Sequence, residues 1–197
     1  MKSGEITPAE VRYNLFMRRS TLTLVVIVML AACGGRRLGS PKPEWKPYTG
    51  DHFTTEFPGP VTTGSAPMDI EFGETADMTI LQTDVGGDRY YLGYADMTEA
   101  RVAQIGSNLP RHASDAMLKA AHSERTGAAG AQLNGVDGQT VYGTSTESND
   151  RAIETRVFAV GSRVYVIAAS GTVNTTTMKP QYDEADHQHF FNSLKWN

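Results

Sequence analysis

The segment RVYVIAAS, Arg163–Ser170, has six apolar residues in succession between its first and last positions. Gly161 and Ser162 connect it to a second apolar run, Ile153–Val160. A two-residue loop with glycine first suits the type II′ turn of a β-hairpin. Because both faces of RVYVIAAS are apolar, this strand is predicted to lie at the centre of an antiparallel sheet. Gln139–Thr144, which follows a glycine-rich turn, is expected as its neighbour.

Shorter segments upstream alternate between apolar and polar residues or are rich in aromatic residues, as strands are. The first is closed by Pro58-Gly59-Pro60, because proline cannot continue the strand. We predict that these segments form an antiparallel meander with short connections. They are Phe53–Phe57, Met68–Phe72, Thr79–Thr83 and Arg89–Ala95.

A helical region is predicted between Thr98 and Arg125, with a break near Gly106 and Pro110 in a first helical turn. Gly127 and Gly130 are expected to end it. A further helix is predicted to begin near Pro180 and to run towards Leu194. The order of these elements predicts an α+β fold, mainly an antiparallel sheet with helices packed on it.

Residues 1–32 have the features of a signal peptide. The apolar run Leu22–Ala32 has eleven residues, whereas a membrane-spanning helix needs about 20, so it reads as a cleavable leader. The run ends in Leu30-Ala31-Ala32-Cys33, which resembles the lipobox of bacterial lipoproteins, and Cys33 is the only cysteine of the chain. The preceding pair Arg18-Arg19 leaves a twin-arginine signal as an alternative.

Cys33 is therefore the predicted lipid-attachment site and the first residue of the mature protein. Met17 starts a compact leader, so translation is predicted to begin there and not at Met1. Residues 33–50 are rich in glycine, proline and basic residues, which predicts a lipidated tether, and residues 51–197 form the predicted single domain. Trp45 and Tyr48 are expected to dock onto that domain.

The lipobox implies palmitate and a cell-envelope location, with the domain on the extracytoplasmic side of a membrane. The expected partners are the lipid bilayer, through acylated Cys33, and an envelope protein. In Gram-negative lipoproteins, an aspartate directly after the lipidated cysteine usually marks retention in the inner membrane. This chain has Gly34 at that position. The outer membrane is therefore favoured if the source is Gram-negative.

Several short motifs of the domain are similar to the PsbP-like modules found in many bacterial lipoproteins. They are the aromatic-to-Phe-Pro-Gly opening (Phe53–Gly59), the tyrosine-rich strand (Tyr90, Tyr91, Tyr94), the Leu-Asn-Gly-Val-Asp-Gly turn (Leu133–Gly138), the Arg-Val-Tyr-Val strand (Arg163–Val166) and a terminal Phe-Phe-Asn-Ser-Leu (Phe190–Leu194). The resemblance implies an α/β/α sandwich in the periplasm. The member that names the family is an accessory subunit of a photosynthetic complex, so an accessory role is implied, and no functional residue carries over.

Charge excludes some classes of partner. The chain carries 18 basic and 22 acidic residues, of which four basic and two acidic precede Cys33, leaving 14 against 20. This acidity argues against nucleic acid as a partner. Once Cys33 is lipidated, no thiol remains for a disulfide, a metal site or a nucleophile.

The densest group of metal-ligand residue types is DEADHQH, residues 183–189. Asp183 and His187 are helical neighbours, which would allow a divalent metal site. His187 and His189 are about 200° apart on a helix and cannot chelate one ion together. Acidic residues also suit the first turn of a helix, so a solvated helix face is the favoured interpretation.

No catalytic, cofactor-binding or metal-binding residue is assigned from the sequence, because it contains neither a Gly-x-Ser-x-Gly nor a phosphate-loop motif. Two hypotheses follow. The first is a membrane-anchored, non-catalytic binding or assembly module. The alternative is an envelope ligand-binding protein or hydrolase with an unrecognised site.

Overall fold

The computed structural model describes residues 42–70, 73–148, 150–176 and 181–197. Residues 1–41, which include Met17, the lipobox and Cys33, lie outside this range, as does Pro180. The strands are β1 (Lys46–Gly50), β2 (Phe53–Phe57), β3 (Thr62–Asp69), β4 (Thr75–Val85), β5 (Asp88–Asp96), β6 (Ser123–Leu133), β7 (Val136–Ser145), β8 (Arg151–Val160), β9 (Arg163–Thr172) and β10 (Lys195–Trp196). The helices are α1 (Glu99–Ile105), α2 (Leu109–Ala120) and α3 (Glu184–Ser193), with a 3-10 turn over Gly106–Asn108.

Seven strands form one antiparallel sheet in the order β3-β4-β5-β9-β8-β7-β6. The strand that contains RVYVIAAS, β9, is central as predicted, and all ten of its residues are buried. Gly161 in the turn between β8 and β9 has φ +59°, a backbone conformation that glycine adopts without steric cost. The hairpin predicted from the sequence is therefore confirmed.

Each face of this sheet has its own apolar core. On one face α2 packs Ala113 and Met117 against the sheet residues Ile80, Val157 and Val166. On the other face lie α3 and a three-stranded sheet in the order β1-β2-β10. Buried aromatic side chains dominate this second core: Phe53, Phe57, Tyr90, Phe158, Tyr165, Phe190 and Phe191. The α+β architecture predicted from the sequence is confirmed.

The helices follow their local signals. Thr98 caps α1 by accepting a hydrogen bond from the Arg101 amide, and Gly106 ends the helix with φ +56°. Pro110 lies in the first turn of α2. Asp183 caps α3 through the amide of Ala185.

The predicted end of the second helix was wrong. The helix ends at Ala120, and Gly127 and Gly130 lie within β6, an edge strand that pairs with β7. Alanine and glycine carry no apolar alternation, so the period of two that marks a strand is invisible in TGAAGA, residues 126–131. The hydrogen bonds to β7 impose the extended conformation.

Three strand predictions also need correction. Phe53–Phe57 is a strand but belongs to the small sheet and not to the meander. Gln139–Thr144 pairs with β8 rather than with the central strand. The segment predicted to start at Met68 starts instead at Thr62 as β3, and residues 71 and 72 of that prediction lie outside the described range. Strand partners depend on contacts distant in sequence, which local alternation does not specify.

The last five residues of the predicted tether form β1, which pairs with β2. Trp45 and Tyr48 dock onto the domain as expected: the Trp45 ring lies 6.5 Å from that of Phe190, and the Tyr48 ring 5.9 Å from that of Phe57. The folded part of the chain therefore extends to residues before 51. Among the described residues, no helix has the length and apolar character needed to cross a membrane.

Candidate functional site

An open groove of about 560 Å³ lies at one end of the domain, within the range typical of ligand sites. It is lined by residues of the turn between β8 and β9, the end of β5 and the start of α1. The turn between β1 and β2 and strand β10 also contribute to the lining. Its lining residues are His52, Asp96, Glu99, Val160, Gly161, Ser162, Arg163, Tyr165, Trp196 and Asn197.

Arg163, the first residue of β9, organises this groove. Its Nε and Nη2 donate to the two carboxylate oxygens of Asp96, with Nη2 to Oδ2 at 2.7 Å. Nη1 donates to the backbone carbonyl of Asp51, and Nη2 also donates to the Asp51 carboxylate at 3.2 Å. The guanidinium carbon lies 5.1 Å from the centre of the Tyr94 ring. Arg163 thus links β9, the end of β5 and the turn after β1.

Arg163 and Asp96 each shift the pKa of the other. The hydrogen bond from Arg163 lowers the pKa of Asp96, so this carboxylate is ionised at neutral pH. The same hydrogen bond raises the pKa of Arg163. Burial raises the pKa of Tyr165. The groove therefore presents a fixed carboxylate and a neutral phenol at physiological pH.

His52 forms the tip of the turn between β1 and β2 in an unusual backbone conformation, with φ +66°. Its carbonyl oxygen accepts from the Tyr165 hydroxyl and from the Asn197 amide, each at 3.2 Å. Its imidazole Nε2 lies 3.4 Å from the Asp51 carboxylate. These backbone contacts hold a strained turn against the groove, and strained residues concentrate at functional sites.

Trp196 supplies an aromatic surface. Its ring is half-buried and packs 5.6 Å from the ring of Tyr165 and 5.7 Å from that of Phe158, measured between ring centres. The indole is therefore fixed by the core while part of it lines the groove. Together with the exposed acids Asp96 and Glu99, this arrangement suits non-covalent recognition.

No sequence motif marks His52, Asp96, Arg163 or Trp196 as a functional residue. Arg163 and Asp96 are 67 positions apart, and Arg163 and Asp51 are 112 apart. The one local signal is that Arg163 is a charged residue directly before six apolar residues of the same strand. A charged residue at such a position requires a partner.

The favoured interpretation of DEADHQH as a solvated helix face was wrong for His187. This residue is 3% exposed, its ring stacks on Tyr182 at 4.1 Å, and its Nε2 lies 3.7 Å from the Asp88 carboxylate. Within the described ranges, Nε2 has no hydrogen-bond partner. Residues of β5 and the segment before α3 enclose the imidazole, which α3 alone would leave exposed.

His189 lies elsewhere on the helix, with Nε2 2.6 Å from the Glu56 carboxylate. The two histidines therefore have different carboxylate neighbours. In the part of the chain that the structure describes, no group of three or more histidine, cysteine, aspartate or glutamate residues could hold a metal ion.

A smaller pocket of about 320 Å³ brings Glu56, His189 and Ser193 together. Ser193 donates its hydroxyl proton to the carbonyl of Phe190, at 2.8 Å, and accepts from the Glu56 amide at 3.0 Å. The Thr55 hydroxyl, 2.8 Å away, must then donate to it as well. Through these bonds Ser193 fastens α3 to β2. Its hydroxyl does not have the geometry of an activated nucleophile.

No family model matches the chain, and no curated protein matches it. Thirteen chains among the solved structures do match it. One is the solution structure of cyanobacterial PsbP (CyanoP) from Synechocystis sp. PCC 6803, with a TM-score of 0.51 and 11% sequence identity. The match covers 85% of this chain and 99% of that one. The antiparallel sheet with its flanking helices thus has a PsbP-like fold.

Proposed function

We propose that the protein is a lipid-anchored, non-catalytic binding or assembly module of the cell envelope. In this proposal Cys33 carries the lipid and holds the domain on the extracytoplasmic side of a membrane, the outer membrane if the source is Gram-negative. The lipobox-like Leu30-Ala31-Ala32-Cys33 supports the anchor. More than one acyl chain is needed for stable attachment, which is what lipoprotein processing supplies.

The groove at the turn between β8 and β9 is the observation that carries the binding role. It combines an open volume, a fixed carboxylate and a half-buried indole, and these are features of recognition sites. The accessory role implied by the PsbP resemblance agrees with this proposal. We therefore place the contact with an envelope protein at this groove.

Metabolic labelling with palmitate, followed by membrane fractionation in a bacterium that processes lipoproteins, tests the anchor. The full chain should be labelled and found with membranes, whereas Cys33→Ser should lose the label and leave the membrane fraction. Equal labelling of the two proteins would contradict the anchor. N-terminal sequencing of a cleavage-deficient precursor tests the start at Met17, and a peptide from residues 1–16 would contradict it.

Site-specific crosslinking in intact cells tests the binding role. A photoreactive residue at Ser162, in the groove, should capture an envelope protein that mass spectrometry identifies. The matched control places the same residue at Ala128, which is exposed on edge strand β6. Capture of the same proteins from both positions, or of none from Ser162, would contradict a contact at this groove.

A further inference from the structure

We infer that the groove binds the guanidinium or ammonium group of an arginine or lysine side chain on the partner protein. The inference rests on the proposed binding function and adds the chemistry of what is bound. Two features support this inference: the groove carboxylates that Arg163 does not neutralise, and the indole of Trp196 on the same groove.

Among the groove residues that the structure describes, Arg163 is the one permanent cation, and its donor groups are already engaged. Four donor contacts of Arg163 go to Asp96 and Asp51, and a guanidinium has five N–H groups. An incoming anion would therefore have to displace groups that Arg163 already contacts. The lining does not favour a carboxylate or phosphate ligand.

Negative charge remains for a ligand. Asp96 has a 62% exposed side chain, and each of its oxygens accepts one bond from Arg163, while an ionised carboxylate has about four acceptor sites. Glu99 is exposed on the same groove, in the first turn of α1. The positive charge of Arg163 offsets one carboxylate, such as that of Asp51. The carboxylates of Asp96 and Glu99 therefore give the groove a net negative charge.

Trp196 lies on the same groove as these acids. Indole is the best aromatic surface for a cation, because the face of its π-system is negative. The contacts of its ring with Tyr165 and Phe158 hold the indole in place, so little ordering is required on binding. A planar guanidinium could stack on the indole while it donates to Asp96 or Glu99.

The open volume and the charge of the chain favour a protein partner over a small amine. Both the turn at His52 and the turn at Ser162 line the groove, which offers more room than one side chain needs. The acidic balance of the chain, with net charge −4, favours encounter with a basic surface. We therefore assign the bound cation to a side chain of the partner.

Fluorine NMR of the full chain in detergent micelles, labelled with 5-fluorotryptophan, tests this inference. The chain has two tryptophans, so Trp45, which packs on Phe190 away from the groove, is an internal control. The probes are short capped peptides of glycine and serine around a central arginine, its neutral isostere citrulline, or glutamate. The arginine peptide should shift the Trp196 signal and leave the Trp45 signal unchanged.

Citrulline should weaken binding by roughly tenfold, because it keeps the shape of arginine and removes the charge. Glu99→Gln should weaken binding of the arginine peptide by about threefold at low salt, and less at physiological salt. Glu124→Gln, an exposed change on β6, is the matched control and should have no effect.

Equal shifts with arginine and citrulline, tighter binding of the glutamate peptide, or an unmoved Trp196 signal would each overturn the inference. Equal affinity for N-acetyl-arginine amide and for the peptide would overturn the assignment to a protein partner. Capture of a protein at Ser162 without charge discrimination would leave the proposed function standing and this inference refuted. Arginine binding without membrane attachment would refute the anchor alone.

Discussion

Arg163 donates to both carboxylate oxygens of Asp96, and this pair joins the first residue of the central strand to the last residue of β5. The Arg163 side chain is 9% exposed, whereas that of Asp96 is 62% exposed. The arginine therefore depends on this pairing more than the aspartate does, because a buried charge without a partner is costly.

Replacing Arg163 with methionine should destabilise the domain. The change removes the hydrogen bonds by which Arg163 ties β9 to Asp96 and Asp51, and we expect a loss of about 2 kcal/mol in the free energy of unfolding. Urea denaturation followed by circular dichroism measures it. Arg89→Met, which removes a more exposed ion pair with Asp84, is the control and should cost less than about 1 kcal/mol. Equal losses would show that the Arg163 contacts contribute nothing particular to stability.

The Arg163–Asp96 pair should also make stability depend on pH. Since the pKa of Asp96 is lowered in the folded state, its contribution is fully present above the pKa of an unfolded aspartate, about 3.9. The contribution is lost as the pH falls through the lowered pKa. The difference in unfolding free energy between the wild type and Asp96→Asn should therefore be constant above about pH 5 and shrink below about pH 4.

His187 should behave as a core residue. His187→Ala removes a ring that stacks on Tyr182 and leaves a cavity, and we expect a loss of about 2–4 kcal/mol. His187→Phe keeps an aromatic ring and removes the buried polar Nε2, so its stability should equal or exceed that of the wild type. Denaturation of the three proteins distinguishes these outcomes. A phenylalanine variant as unstable as the alanine variant would indicate that the imidazole nitrogen contributes a specific interaction.

Gly138 in β7 should tolerate no side chain. A Cβ atom there would lie 2.3 Å from the carbonyl oxygen of Val157 and 2.5 Å from the ring of Phe158. Because backbone and a buried ring cannot both yield, we expect Gly138→Ala to cost about 2–3 kcal/mol in thermal or chemical denaturation. Gly130→Ala in the neighbouring strand meets no atom within 4 Å and should change stability by less than about 0.5 kcal/mol. Similar effects at the two positions would contradict the described register of β7 and β8.

The candidate site was the least predictable part of the molecule. Asp96, Arg163 and Trp196 belong to three segments that the sequence separates by tens of residues, and no spacing motif connects them. The burial of His187 could not be predicted from its position on a helical wheel. It results from Asp88 of β5 and from Tyr182 in the segment before α3, which cover this side of the helix.

The sequence by itself determined the elements whose signals are local. The apolar run Arg163–Ser170 with its glycine turn specified the central hairpin, and Thr98 with Gly106 specified the bounds of α1. Tertiary structure alone decided that Gly127 and Gly130 lie in a strand, that β2 joins a second sheet, and that Arg163 meets Asp96. The physical reason is that turns, caps and apolar periodicity act over a few residues, whereas strand pairing and the burial of a charge depend on partners brought together only by the complete fold.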